Sequence, residues 1–204
     1  MNYYSKDVYN DLKSINKCSF FNEWYSIVEP ILLNDEFQRR KLFKHHDDSV
    51  WDHSIDVSFK SFLVAKFYKL DVYTATIAGL LHDFYPYAWQ YNKDLETLDK
   101  KYLKRYHQKH KSIKELHGFV HAKEASINAA KYFPNLVNPK ILSCIETHMF
   151  PINIKPPIYL EGWVITGVDK KISVRILKNV PELPSYVGLK KKVKTPDTIL
   201  QKYT

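Results

Sequence analysis

Residues 75–84, ATIAGLLHDF, decide how the chain is read. An apolar run closes on a histidine and an aspartate side by side, His82 and Asp83. Ionisable groups finish a buried helix only when each has a partner. Two readings account for the pair: a capped helix end, or a metal site. The residues around it have to choose.

The chain has 204 residues, 45% of them hydrophobic, enough to bury the core of one domain with appendages. Five glycines, against many Leu, Ile, Lys, Tyr and Phe, favour helices over a turn-rich β fold. Cys18 and Cys144 stand far apart in no CxxC or CxxH pairing, which suits a reducing compartment better than a disulfide framework. The start, MNYYSKDVYNDLKS, is neither a signal nor a transit peptide, and no apolar run approaches the roughly 18 residues that span a bilayer. A soluble, cytoplasmic protein is expected, with no membrane partner.

The formal charge of +9 concentrates in KRYHQKHKSIK, residues 104–114, and in the tail GLKKKVKTPDTILQKY. Lysine dominates, and no nucleic-acid-binding signature accompanies it, so the charge reads as a solvated face rather than a nucleic-acid site.

Helical periodicity runs through most of the chain. Residues 1–15 read as a short helix, and Phe20, Trp24, Ile27, Val28 and Ile31 space a second one that Pro30 kinks or ends. DEFQRRKLFKHHDD reads as a helix entering a polar break, and Ser49 caps a long helix whose apolar side includes Val50, Val57, Leu63, Val64 and Phe67. Asp71 opens the helix that ends at His82-Asp83. An aromatic, basic excursion follows, part helix and part loop. A helix then starts just after Gly118, another ends near His148 before Pro151, and an apolar segment ends at Asp169. The expected fold is all-α.

Ionisable residues track these helices. His53, His82, Asp83, His117, His121, His148 and Asp169 each fall at a terminus or polar stripe of successive segments. Imidazole and carboxylate suit Fe, Mn, Co or Zn, and the lack of nearby cysteine argues against structural zinc. The adjacent His82 and Asp83 can serve two ions through a bridging carboxylate, or one ion from both sides of a turn. Two such ions could share a hydroxide and clamp an in-line phosphoryl displacement.

The ordered series HHDDSVWDHS, LLHDF, LHGFVHAKEA, HMFPI and VDKK resembles the HD-domain metal-dependent phosphohydrolases, in particular a bacterial branch with HHxxSxxDHS, LLHD, HGFxH and HMFPL motifs. The resemblance covers residues 45 to about 173. It implies a single HD-domain helical bundle over 41–175, preceded by a helical extension, 1–40, and followed by a basic tail, 176–204. It implies His53, His82, Asp83 and Asp169 as core metal ligands and catalytic residues, with His117 and His148 serving a second ion. One or two divalent transition metal ions are the implied cofactor. His121, Lys123 and Lys170 are the candidates to face a substrate phosphate. One of His45 and His46 is expected to hydrogen-bond behind the ligands. His107 and His110 are expected to be solvated, and Trp89 to border the pocket. The implied reaction is hydrolysis of a phosphoester or phosphoanhydride in a small phosphorylated metabolite, a nucleotide above all, by metal-activated hydroxide. The alternatives are a di-iron oxygenase and a metal-containing ligand- or nucleic-acid-binding module. Ala88, Gln90 and Pro86 depart from polar positions of related motifs, which weakens a 5′-nucleotidase role.

Overall fold

Side-chain caps set where the helices begin. Asn34, Ser49, Asp71 and Asn138 each accept a hydrogen bond from a first-turn backbone N–H, at 2.9, 3.1, 3.0 and 2.9 Å. Such a cap is worth about 1 kcal/mol, and Pro139 adds a preset first residue after Asn138. The computed structural model describes residues 12, 15, 18–45, 48–89, 100–103 and 115–176. Within these the elements run α1 (Phe21–Leu32), α2 (Asp35–Gln38), a 3₁₀ turn (Arg39–Leu42), β1 (Lys44–His45), β2 (Asp48–Ser49), α3 (Val50–Tyr68), α4 (Val72–Leu81), α5 (Lys100–Leu103), α6 (His117–Tyr132), α7 (Pro139–Thr147) and α8 (Leu160–Ile176). The fold is all-α, with one two-residue ladder pairing Lys44 with Ser49 and His45 with Asp48.

α4 is the central helix. Every residue from Thr74 to Leu81 is buried, and it packs against α1, α3, α6, α7 and α8. It meets α3 most closely at Gly79, where a Cβ would come within 3.1 Å of Ser58 Cα. Ser58 ties the layers together: its hydroxyl accepts from Trp24 Nε1 at 3.0 Å and donates to the Thr76 carbonyl at 2.9 Å. Trp24, Val28, Ile31, Leu32 and Phe37, from the segment expected as an extension, belong to the same core as α3 and α4. The expected helix over 1–15, apart from Leu12 and Ile15, and the basic tail beyond residue 176 lie outside the described residues.

Pro30 stands two residues before the end of α1, where it costs one helical bond, and Leu33 N–H still reaches the Glu29 carbonyl at 3.0 Å. One local reading is corrected. The stretch DEFQRRKLFKHHDD is not one helix but α2, a 3₁₀ turn and a hairpin. Burial of Arg40 is the cause. Its guanidinium is fully enclosed, 4.7 and 4.4 Å from the Phe43 and Phe84 ring centres, and bonds Glu36 at 3.3 Å. Glu36 also accepts from Tyr102 Oη at 2.8 Å. That tertiary knot outweighs the helix propensity of Arg39–Leu42. A second aromatic cluster, Phe43, Val50, Tyr85, Tyr87, Ala88 and Tyr102, clamps the chain just past Asp83. Ala88 N–H donates to the Tyr102 carbonyl at 2.9 Å, so an apolar residue suits that position.

Lys69 ends α3 in the left-handed region at φ 57°, a conformation that costs a non-glycine residue about 1 kcal/mol. Lys69→Gly is expected to stabilise the fold by about 0.5–1 kcal/mol, raising Tm by about 1–4 °C in thermal unfolding.

Candidate metal centre

Five helices deliver one cage. His53 comes from α3, His82 and Asp83 from the end of α4, His121 from the second turn of α6, His148 from the end of α7 and Asp169 from α8. All six are buried, His82 completely. His82 both caps α4 and faces the cage, because its two nitrogens do different work. Nδ1–H donates to the Gly79 carbonyl at 2.8 Å, capping α4, while Nε2 faces His53 Nε2 at 3.2 Å. His148 repeats the device at the end of α7, with Nδ1–H on the Ile145 carbonyl at 2.7 Å. His121 Nδ1–H donates to the His117 carbonyl at 2.8 Å. Three rings thus have their tautomer and orientation fixed by backbone carbonyls, the usual support of a ligating histidine.

The donor atoms form two triangles joined by one carboxylate. His53 Nε2, His82 Nε2 and Asp169 Oδ1 lie 3.2, 3.0 and 3.6 Å apart. His121 Nε2 and His148 Nε2 lie 3.2 Å apart, and Asp83 Oδ1 is 3.4 and 3.9 Å from them. The other oxygen, Asp83 Oδ2, faces the first triangle, 3.5 Å from His82 and 3.9 Å from His53. Two ligands each about 2.0–2.2 Å from one ion sit about 3–4 Å apart, and these separations fall in that range. His121 Nε2 and His148 Nε2 face each other at a spacing that suits two ligands of one ion. The donors present fit one ion in each triangle.

Charge among the side chains of the cage is uneven. Burial alone would lower His82, but the Asp83 carboxylate, with Asp169 behind it, overrides that and raises it to about 9. Burial and the neighbouring rings His82 and His121 push His148 down to about 3. Against burial, the surrounding imidazoles hold Asp83 far below the usual carboxylate range, and hydrogen bonds from His53 and His82 do the same for Asp169. At pH 7 His82 therefore carries a proton that an ion on Nε2 must displace, whereas His148 carries none. Affinity of the His82-side ion is expected to rise about tenfold per pH unit as pH climbs toward 9 and to level off there, with proton release on binding. Calorimetric titration with Mn²⁺ in two buffers of different ionisation enthalpy measures it.

A cleft of about 260 Å³ opens onto the cage, lined by Asp83, Trp89, His117, His121, His148, Met149, Ile152, Asp169 and Lys170 among others. His117, expected as a ligand, is not within the cage. It starts α6 one turn before His121, stacked on Trp89 at 4.5 Å and 9° and on His121 at 4.5 Å and 23°, with Tyr87 Oη 3.2 Å from its Nδ1. His121, expected to face substrate, stands in the cage instead. The helix begins at His117 rather than after Gly118, and that register decides which of two same-face histidines reaches Asp83. Lys170 lines the cleft; Lys123 is exposed on α6 and does not. His46, Gln90, His107 and His110 lie outside the described residues.

Sequence reading missed the support beneath the motif. Asn128 Nδ2 donates to the Phe84 carbonyl at 2.8 Å, tying α6 to the backbone just after Asp83. A buried Asn on the inner face of α6, one heptad past His121, is the signal that was available. Cys144 is a packing group, its thiol pushed up to about 12 by burial.

The HDOD domain family model matches residues 21–135, a span that holds His53, His82, Asp83, His117 and His121 and stops before His148 and Asp169. No curated protein matches the chain, and no solved structure does. Among the described residues, no helix is long and apolar enough to cross a membrane.

Proposed function

The chain belongs to the HDOD domain family, an HD-related helical domain, and on that premise we propose that it is a metal-dependent phosphohydrolase acting on a small phosphorylated metabolite, a nucleotide above all. The observation that carries this reading is Asp83, whose two oxygens face two separate histidine sets at 3.4–3.9 Å. A carboxylate so placed suits a pair of ions. His53, His82 and Asp169 would hold one, His121 and His148 the other, with Asp83 between.

Divalent ions at those positions supply an acidified water and positive charge against the phosphate oxygens. The chain's own groups do the rest. The backbone carbonyls of Gly79, His117 and Ile145 aim the three Nε2 atoms inward. Lys170 holds an ammonium at the cleft, its pKa lowered by burial, where a phosphate would sit. Trp89 and His117 form a stacked wall beside it, a surface for the organic part of the substrate.

HDOD domains often serve in signalling, so a binding role is the coarser alternative. The same His and Asp donors suit iron, which keeps a di-iron oxygenase as the second reading. A screen of nucleotides and sugar phosphates separates them: phosphate release that needs added Mn²⁺ or Co²⁺ is expected. Oxygen uptake by iron-loaded protein with no phosphate release from any substrate would favour the oxygenase, and neither signal in metal-loaded protein would favour a binding module.

A further inference from the structure

The motif HHDDSVWDH does more than launch α3, because the hairpin ahead of that helix brings a third imidazole to the first triangle. Its ladder pairs His45 with Asp48 and Lys44 with Ser49, and Ser49 is the cap of the helix that carries His53. Val50 N–H donates to the Phe43 carbonyl at 2.8 Å, closing the base of the hairpin. One short unit therefore fixes His45 and His53 relative to each other, and their rings lie tilted at 32° with centres 4.2 Å apart. His45 Nδ1 lies 3.7 Å from Asp83 Oδ2. That is beyond hydrogen-bond reach. It is a normal spacing for two ligands of one ion. His45, His53 and Asp83 present donor atoms within 4.8 Å of one another, and His82 Nε2 lies 3.5 Å from the same carboxylate oxygen.

We propose that His45 is a further ligand of the ion held by His53, His82 and Asp169, an assignment that rests on the two-ion reading. The consequence is an asymmetric pair. The first set then gains a donor, His45, that lies with His53 and Asp83 within 4.8 Å. The second has His121, His148 and Asp83, three ligands with positions open toward the cleft, as catalytic sites keep them. Lys170, His117 and Trp89 line that cleft, as do His45 and Asp169 of the first set.

Cobalt tests this on the full chain without recourse to turnover. Wild-type protein stripped of metal is titrated with Co²⁺, and His45→Ala and His45→Cys are compared with it, circular dichroism showing that each variant is folded. His45→Ala is expected to weaken the first equivalent on the order of 10–100-fold and change its visible spectrum, leaving the second equivalent unchanged. His45→Cys is expected to restore tight binding and to add a near-ultraviolet thiolate-to-cobalt charge-transfer band with the first equivalent, absent from wild type. Two tightly bound ions in wild type, with unchanged affinity in His45→Ala and no new band in His45→Cys, would overturn the assignment of His45 alone. No cobalt uptake by wild type would overturn the two-ion reading and this assignment with it.

Discussion

Asp83→Ala is expected to lose both ions and to bring metal-dependent phosphate release down by more than about a thousandfold, with the helical fold retained. Asp83 is the residue common to both triangles, so its removal takes a ligand from each ion at once. Loss of one oxyanion donor already costs 10²–10³ in other enzymes, and this change withdraws the charge stabilisation of two ions. The fold survives because the cage can neutralise itself. Against burial, the Asp83 carboxylate is the largest influence raising the His82 pKa, so its removal shifts His82 toward the neutral form, with Asp169 left as its partner. Elemental analysis with circular dichroism reads both halves of the result. A folded Asp83→Ala protein that keeps two ions would reduce Asp83 to a buried carboxylate with no part in the site.

His121→Gln and His117→Gln should behave differently, though the two histidines lie one turn apart on the same helix face. His121→Gln is expected to lower metal content from two ions per chain to one and to cut kcat by at least about a hundredfold. Glutamine can still donate to the His117 carbonyl, so the loss reports the ligand rather than the helix. His117→Gln is expected to keep both ions and to raise KM, by about tenfold, because His117 stands in the cleft wall against Trp89 rather than in the cage. Loss of one ion in His117→Gln, with none lost in His121→Gln, would restore the ligand set expected from motif resemblance.

That pair of variants marks where the sequence stops being legible. Caps are local, so Ser49 and Asp71 could be placed from residue type alone, and with them the helices that present His53 and His82. His148 and Asp169 end or ride apolar helices whose periodicity is plain. A histidine pair at i and i+4 is different, because both members project from one face and only tertiary register says which turn lies level with Asp83. The hairpin was hidden for a related reason. Arg39–Leu42 has good helix formers, and nothing local announces that Arg40 will be buried against Phe43 and Phe84 and that the chain must turn there. His45 entered the sequence reading only as a residue behind the ligands, since two-residue strands leave no periodic signal.

The bridging role of Asp83 is tested most directly by electron paramagnetic resonance of metal-stripped protein reloaded with Mn²⁺. Two ions per chain sharing one carboxylate should give the multiline spectrum of an exchange-coupled pair, and Asp83→Ala should abolish it. Wild-type protein that binds a single Mn²⁺, two uncoupled ions or none would contradict the account.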